Sequence, residues 1–193
     1  ATYVVLARSL AARGPMPIVA ASTGNAGASL ACLCAAAGVP ATVYVPASAP
    51  EAKLVQLRVY GADLREVEGT YDDAFGRSLE TAAREGWTNR NTGTNPWTRE
   101  GKKTVAFEIF EQLGGLPEWI VVATGDGNIL SAVWKGLREL RDGLGVDRLP
   151  RLIAAQARGS ACIADALQRR RRDTSLSRRD ALIPVVTNTL ADS

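Results

Sequence analysis

Pro17-Ile-Val-Ala-Ala-Ser-Thr-Gly-Asn25 is the stretch whose reading decides the fold of this chain. A short apolar run, too short for a helix, ends in a Ser-Thr-Gly-Asn loop, and an Ala-rich segment then continues to Gly38, a residue suited to closing a helix. The pattern predicts a strand, a loop and a helix. The same order recurs downstream. Ala41 to Val45 predicts a second strand, and Pro50, favoured in the first turn of a helix, opens a segment that ends at Gly61. Leu64 to Val67 predicts a third strand, after which Thr70 and Asp73 form a capping-box-like start for a helix reaching about Glu85. Such βαβα order implies a parallel, doubly wound sheet, whose ligands sit in loops at the carboxyl ends of the strands.

Outward from this core, Ala1 to Ala12 reads as an apolar helix. The polar, turn-rich stretch from Thr88 to Pro96 reads as a crossing between two domains, residues 1–90 and 91–193. Beyond it, Val105, Ile109 and Leu113 fall on one face of a helix closed by Gly114 and Gly115. Trp119 to Ala123 is expected as the clearest buried strand, running into Thr124-Gly-Asp-Gly-Asn128 and a helix through about Arg141. Leu152 to Ala155 should be the next strand, and Ser160 to Gln168 the next helix.

Composition narrows the chemistry. The chain has 193 residues and 46% apolar content, enough for a packed core. No apolar run is long enough to cross a bilayer and no secretory signal is evident, so a cytoplasmic protein with no membrane partner is expected. It contains no histidine, which removes Ser-His-Asp, Cys-His and His-ligated metal chemistry. Cys32 and Cys34, set in the Ala-rich segment, read as small core residues and not as a disulfide or metal site. The net charge is +3. The run Arg169 to Arg172, followed by Arg178 and Arg179, has no interleaved aromatic residues and reads as solvated surface, so no nucleic-acid partner is expected.

Two strand-loop-helix junctions carry the functional signal. At each, the first helical N–H groups lack intrahelical partners, the helix dipole is positive, and glycine allows a ligand close to the backbone. In Gly125-Asp-Gly-Asn128 the two glycines suit a nest of N–H donors around a phosphate. In Ser22-Thr-Gly-Asn25 two hydroxyls, amide N–H groups and a side-chain amide suit a carboxylate plus a second oxygen. Taken singly, either loop is equally well explained as a strand-end turn. The dinucleotide fingerprint fails, because Leu130 stands where a third glycine is required. Asp126 would repel a phosphate unless its side chain points outward or caps the helix.

Together, Ser22-Thr-Gly-Asn-Ala-Gly27 after a short strand, Glu100-Gly-Lys-Lys-Thr104 opening a helix, and Gly125-Asp-Gly-Asn128 after another strand resemble the fold type II pyridoxal-phosphate (PLP) enzymes, in particular the threonine synthase group. The resemblance covers nearly the whole chain in the same order. It implies an α/β protein of two doubly wound parallel-sheet, three-layer αβα domains, both incomplete here: part of the small N-terminal domain in 1–90 and part of the large phosphate-binding domain in 91–193. It further implies that Asn25 bonds the phenolic oxygen of the PLP ring, that Ser22, Thr23 and Gly24 hold the α-carboxylate of a small amino-acid substrate, and that Gly125, Asp126, Gly127 and Asn128 wrap the cofactor phosphate. A homodimer is the usual assembly.

The resemblance also implies residues that this chain lacks. The Schiff-base lysine is expected just upstream of Ala1, and Lys53, Lys102, Lys103 and Lys135 are no substitutes. No catalytic residue is therefore assigned, and the chain is expected to be an inactive fragment of a longer PLP-dependent carbon-oxygen lyase. Lys102 and Lys103 read as a solvated first-turn pair, with a substrate-phosphate contact as the alternative. The arginine expected soon after Asn95-Pro96 is displaced to Arg99, which leaves open a deaminating amino-acid lyase; the missing lysine leaves open a non-catalytic PLP or amino-acid binder, and a nucleotide-binding module is a more remote alternative.

Overall fold

A computed structural model describes residues 1–172; Arg178 and Arg179 of the basic run lie outside them. The chain forms two compact units, Ala1–Gly101 and a second from Lys102 onward.

The first unit follows the predicted alternation: α1 (Thr2–Arg13), β1 (Ile18–Ala21), α2 (Asn25–Ala36), β2 (Ala41–Pro46), α3 (Glu51–Val59), β3 (Asp63–Val67), α4 (Tyr71–Glu85), β4 (Thr88–Asn89) and α5 (Trp97–Lys102). The four strands are parallel in the order β3-β2-β1-β4. Successive side chains of a strand point to opposite faces, and here both faces are covered. Ile18, Ala20, Val43 and Val45 pack with Leu6 of α1, Leu30 and Cys34 of α2, and Leu54 and Leu57 of α3. Val19, Ala21 and Tyr44 turn the other way, onto Ala74 of α4. These are the three αβα layers. Burial pushes the Cys34 thiol up to about 11, which keeps it protonated near neutrality, as befits the small core residue expected.

Local signals explain the helix ends. Thr70 and Asp73 form the expected capping box of α4, and Gly86 closes that helix in the left-handed conformation, at φ 69°. β4 was not foreseen. Two residues carry no periodicity to read, and its strand character comes from pairing with Ile18 and Val19 of β1.

The second unit contains α6 (Thr104–Leu113), β5 (Trp119–Ala123), α7 (Asn128–Leu144), β6 (Arg151–Ala155) and α8 (Cys162–Arg172), with β5 and β6 parallel. Three expectations need correction. Glu100 to Lys102 end α5 instead of opening a helix, and Lys103 separates α5 from α6. The Val105–Ile109–Leu113 face is not the packed one, since Val105 and Leu113 are exposed. Ala106, with Phe107 and Phe110, meets α7 instead. The approach is close because a Cβ on Gly136 would lie 2.5 Å from the Lys103 carbonyl oxygen and 2.8 Å from the Ala106 Cβ. Finally, β5 is buried at Val122 alone, while Trp119 is 46% and Val121 64% exposed. The helices supply a core on the Ile120 and Leu152 side, so among the described residues this unit carries one helical layer on its sheet, consistent with the incomplete αβα domain expected.

Candidate functional site

The loop Ser22–Asn25 is built from a covered strand and a close-packed helix. Ser22 N–H donates to the Tyr44 carbonyl at 3.3 Å, which keeps the chain on the sheet to the end of β1. The Ser22 Oγ then accepts from Gly24 N–H at 3.3 Å and Gly27 N–H at 3.1 Å. A serine oxygen that accepts two bonds still has its own proton to donate, so Ser22 both shapes the loop and retains a donor. Gly27 is required by space: a Cβ there would lie 2.7 Å from the Ser22 carbonyl oxygen.

Asn25 is the first residue of α2 and is exposed. Its side chain makes no hydrogen bond among the described residues, which leaves its amide available to an acceptor or donor from outside.

A residue beyond the loop holds it. The buried Asn91 accepts the Ala21 N–H on Oδ1 at 2.9 Å and donates through Nδ2 to Ser78 Oγ at 2.7 Å. The amide of Ala21, just before Ser22, is thereby pinned to the segment after β4. Sequence reading missed Asn91 because it lies in a turn-rich stretch where asparagine has an ordinary local explanation.

The loop Gly125–Asn128 has a different construction. Thr124 N–H donates to the Ala155 carbonyl at 2.8 Å, and Gly127 sits at φ 79°, the left-handed conformation that favours glycine. The awkward Asp126 finds a role at the helix start. Its Oδ1 accepts the Asn128 N–H at 3.0 Å, and its other oxygen accepts from the Asn128 side-chain amide. The carboxylate therefore occupies one of the backbone donors assigned to an anion and puts a negative charge at the positive end of α7. Gln156, also unforeseen, donates to the Gly125 carbonyl at 3.4 Å and accepts from Ile163 and Ala164 N–H at 3.1 Å each. It ties the loop to the start of α8.

Lys103 is neither a solvated first-turn cation nor free for a ligand. Its Nζ lies 2.8 Å from Glu139 of α7, and this hydrogen-bonded ion pair, with Lys135 adding to it, holds the Glu139 carboxyl below the usual range. Trp97 follows Asn95-Pro96 and lies under the Arg8 guanidinium, 3.9 Å from ring centroid to Cζ, while Arg99 is exposed on α5. Among the described residues no cluster of His, Cys, Asp or Glu could hold a metal ion, and no helix is long and apolar enough to cross a membrane.

Comparison with known proteins agrees with this layout. The chain is 37% identical over 155 residues to the threonine synthase of Methanocaldococcus jannaschii, a match covering 79% of this chain and 38% of that protein. It is 37% identical over 152 residues to the Mycobacterium leprae threonine synthase, covering 78% and 42%. The chain thus spans about two-fifths of the length of the curated relatives it matches. The processed form of threonine deaminase isoform 2 from Solanum lycopersicum shares the fold, with a TM-score of 0.74 at 20% identity, covering 87% of this chain and 47% of that one. The family described as pyridoxal-phosphate-dependent enzyme matches residues 1–193, and the chain belongs to it.

Proposed function

We propose that the complete gene product is a PLP-dependent carbon-oxygen lyase of the threonine synthase type, converting O-phosphohomoserine and water to threonine and phosphate. The observation that carries this reading is the run of threonine synthases among the relatives, at 37% identity over most of this chain. PLP, when bound, supplies an electron sink for the carbanion formed when the substrate loses its α-proton.

This chain's residues fit that group residue by residue. The Ser22 hydroxyl, the Thr23 hydroxyl and the Gly24 amide, whose bond to Ser22 Oγ the ligand would replace, hold the α-carboxylate at the N-terminus of α2, where the helix dipole favours an anion. Asn25, exposed and without a side-chain hydrogen bond among the described residues, donates to the phenolic oxygen of the ring and stabilises its negative charge. Gly125, Asp126, Gly127 and Asn128 form the phosphate loop, Gly127 contributing the turn and Asp126 setting the entry to α7. No residue of this chain is assigned the proton transfer at the substrate's α-carbon. The cofactor-bearing lysine is expected just upstream of Ala1, so the 193 residues alone should be inactive. The proposed assembly is a cytoplasmic homodimer.

A second reading, a deaminating amino-acid lyase, is favoured by one observation: Arg99 is displaced from the position expected after Asn95-Pro96. Purified complete gene product separates the two. Release of phosphate with formation of threonine from O-phosphohomoserine supports the first; release of ammonia from threonine or serine, with no phosphate release, overturns it in favour of the second. Replacing Asn25 by alanine should shift the absorbance of the bound cofactor, and an unchanged spectrum with intact cofactor binding would remove Asn25 from the site.

A further inference from the structure

The surface arginines of the first unit are satisfied in several ways: Arg8 lies over the Trp97 ring and Arg13 donates to the Gly86 carbonyl, while others meet carboxylates. Arg58, Arg65, Arg77 and Arg84 each meet an Asp or Glu. Arg90, only 5% exposed, meets none among the described residues. Its Nε donates to Thr2 Oγ1 at 3.1 Å and its Nη1 to Thr92 Oγ1 at 3.2 Å. Both acceptors are neutral, and a guanidinium has five N–H donors. Loss of hydration lowers its affinity for the proton, with the Tyr71 phenol as the favourable electrostatic neighbour. Buried charges in proteins are ordinarily paired, and an unpaired one is costly. This arrangement is therefore a cation awaiting a counter-ion.

Its position indicates which kind. Arg90 directly follows β4, its N–H donates to the Val19 carbonyl at 2.9 Å, and the next residue, Asn91, holds the amide of Ala21 beside Ser22. The guanidinium thus belongs to the carboxyl end of the parallel sheet, the end at which such sheets bind ligands, and to the segment that pins the Ser22–Asn25 loop. Planar, multiply donating guanidinium suits phosphate and carboxylate oxygens.

We propose that Arg90, steadied by Thr2 and Thr92, receives the anionic side-chain substituent of the amino-acid substrate and so selects an amino acid carrying a phosphate ester or a second carboxylate. This rests on the proposed function for the identity of the substrate, but not for the existence of the anion site.

The test compares wild type, Arg90→Met and Arg90→Lys in the complete gene product. Inorganic phosphate should raise the melting temperature of the cofactor-free wild type more than that of Arg90→Met, the rise common to both belonging to the Gly125–Asn128 loop. In the holoenzyme, Arg90→Met should weaken O-phosphohomoserine binding by about 30-fold, as expected for removal of one partner of a buried charge pair. Binding of neutral homoserine should change by about twofold or less, since it offers no charge to pair. Arg90→Lys should recover part of the loss. A loss for O-phosphohomoserine alone identifies a phosphate ester as the partner, and a loss for L-glutamate alone a carboxylate. Equal losses for neutral and anionic amino acids would overturn the proposal, as would anion affinities unchanged by Arg90→Met. It would also fall if Arg90→Met melted far below wild type while phosphate shifted the two proteins equally, for then the counter-ion is a carboxylate of the polypeptide. Failure of the wild type to bind PLP would count against the proposed function alone, because the phosphate shift is read without the cofactor.

Discussion

The two strand-end loops look alike in sequence and are held in different ways. Ser22–Asn25 is fixed by its surroundings: the sheet beneath it is covered on both faces, Gly27 brings the helix against the Ser22 carbonyl, and Asn91 anchors Ala21 from a distant segment. Gly125–Asn128 is fixed by its own neighbours, Asp126 within the loop and Gln156 shortly after β6, above a two-stranded sheet whose Trp119 and Val121 face is exposed. The first loop spends the Gly24 N–H on Ser22 Oγ but no charge, and its remaining support comes from residues outside it. The second spends a donor and a negative charge on holding itself. Similar turn chemistry thus yields a loop supported from outside in one case and, in the other, a loop whose own carboxylate takes up a donor at the helix start.

Substitutions at these supports should sharpen the contrast. The largest effect is expected for Gly27→Ala, whose new methyl must displace the Ser22 carbonyl; a loss of about 3 kcal/mol follows from overpacking against backbone, read as a lowered urea midpoint. An unchanged midpoint would show that the first loop is looser than its contacts imply. Next, Asn91→Ala leaves the Ala21 N–H and the Ser78 hydroxyl without their partner, costing about 2 kcal/mol, and should weaken amino-acid binding without altering phosphate-loop affinity. Equal weakening of both would break the contrast. A smaller effect belongs to the second loop. Asp126→Ala should cost about 1 kcal/mol through loss of the helix-start bond, yet tighten binding of inorganic phosphate by removing a like charge; calorimetry that finds weaker phosphate binding would refute the account of Asp126.

The smallest expected effect is a pH dependence remote from both loops. Thr70 N–H and Oγ–H donate to Asp73 at 2.7 and 2.9 Å, and these bonds hold its carboxyl below the usual range, the backbone bond contributing most. A depressed folded value means that the unfolded chain takes up its proton first. The contribution is therefore complete above the ordinary aspartate range and is lost as pH falls through the lower folded value. Asp73→Asn should flatten the dependence of the urea midpoint between about pH 2 and 5, and a parallel curve for the two proteins would exclude the capping box as its source.

Legibility along the chain follows the same physical division. Elements with a local signature were readable: the apolar runs of β1 and β2, the glycine stops at Gly38 and Gly61, the Thr70–Asp73 box, and both loops with their glycines. β4 was not, because a two-residue strand has no period and exists through its pairing with β1. The packed face of α6 was misread for a related reason. Val105, Ile109 and Leu113 form the more apolar-looking stripe, but the small side of α7 at Gly136 selects Ala106 as the contact. Asn91, Gln156 and Arg90 were silent in the sequence, since each acts through partners distant along the chain or on another element.

By itself, then, the order of residues determined the alternation of strands and helices, the parallel sheet that alternation demands, and the two glycine-containing turns at strand ends, because periodicity, capping and glycine freedom act over a few residues. Only the tertiary structure decided which faces are covered, which donors remain after the loops have satisfied themselves, and that a guanidinium is buried beside two threonine hydroxyls at the end of the sheet. Those outcomes depend on desolvation and on hydrogen bonds between segments far apart in the chain, quantities that no local window of sequence contains.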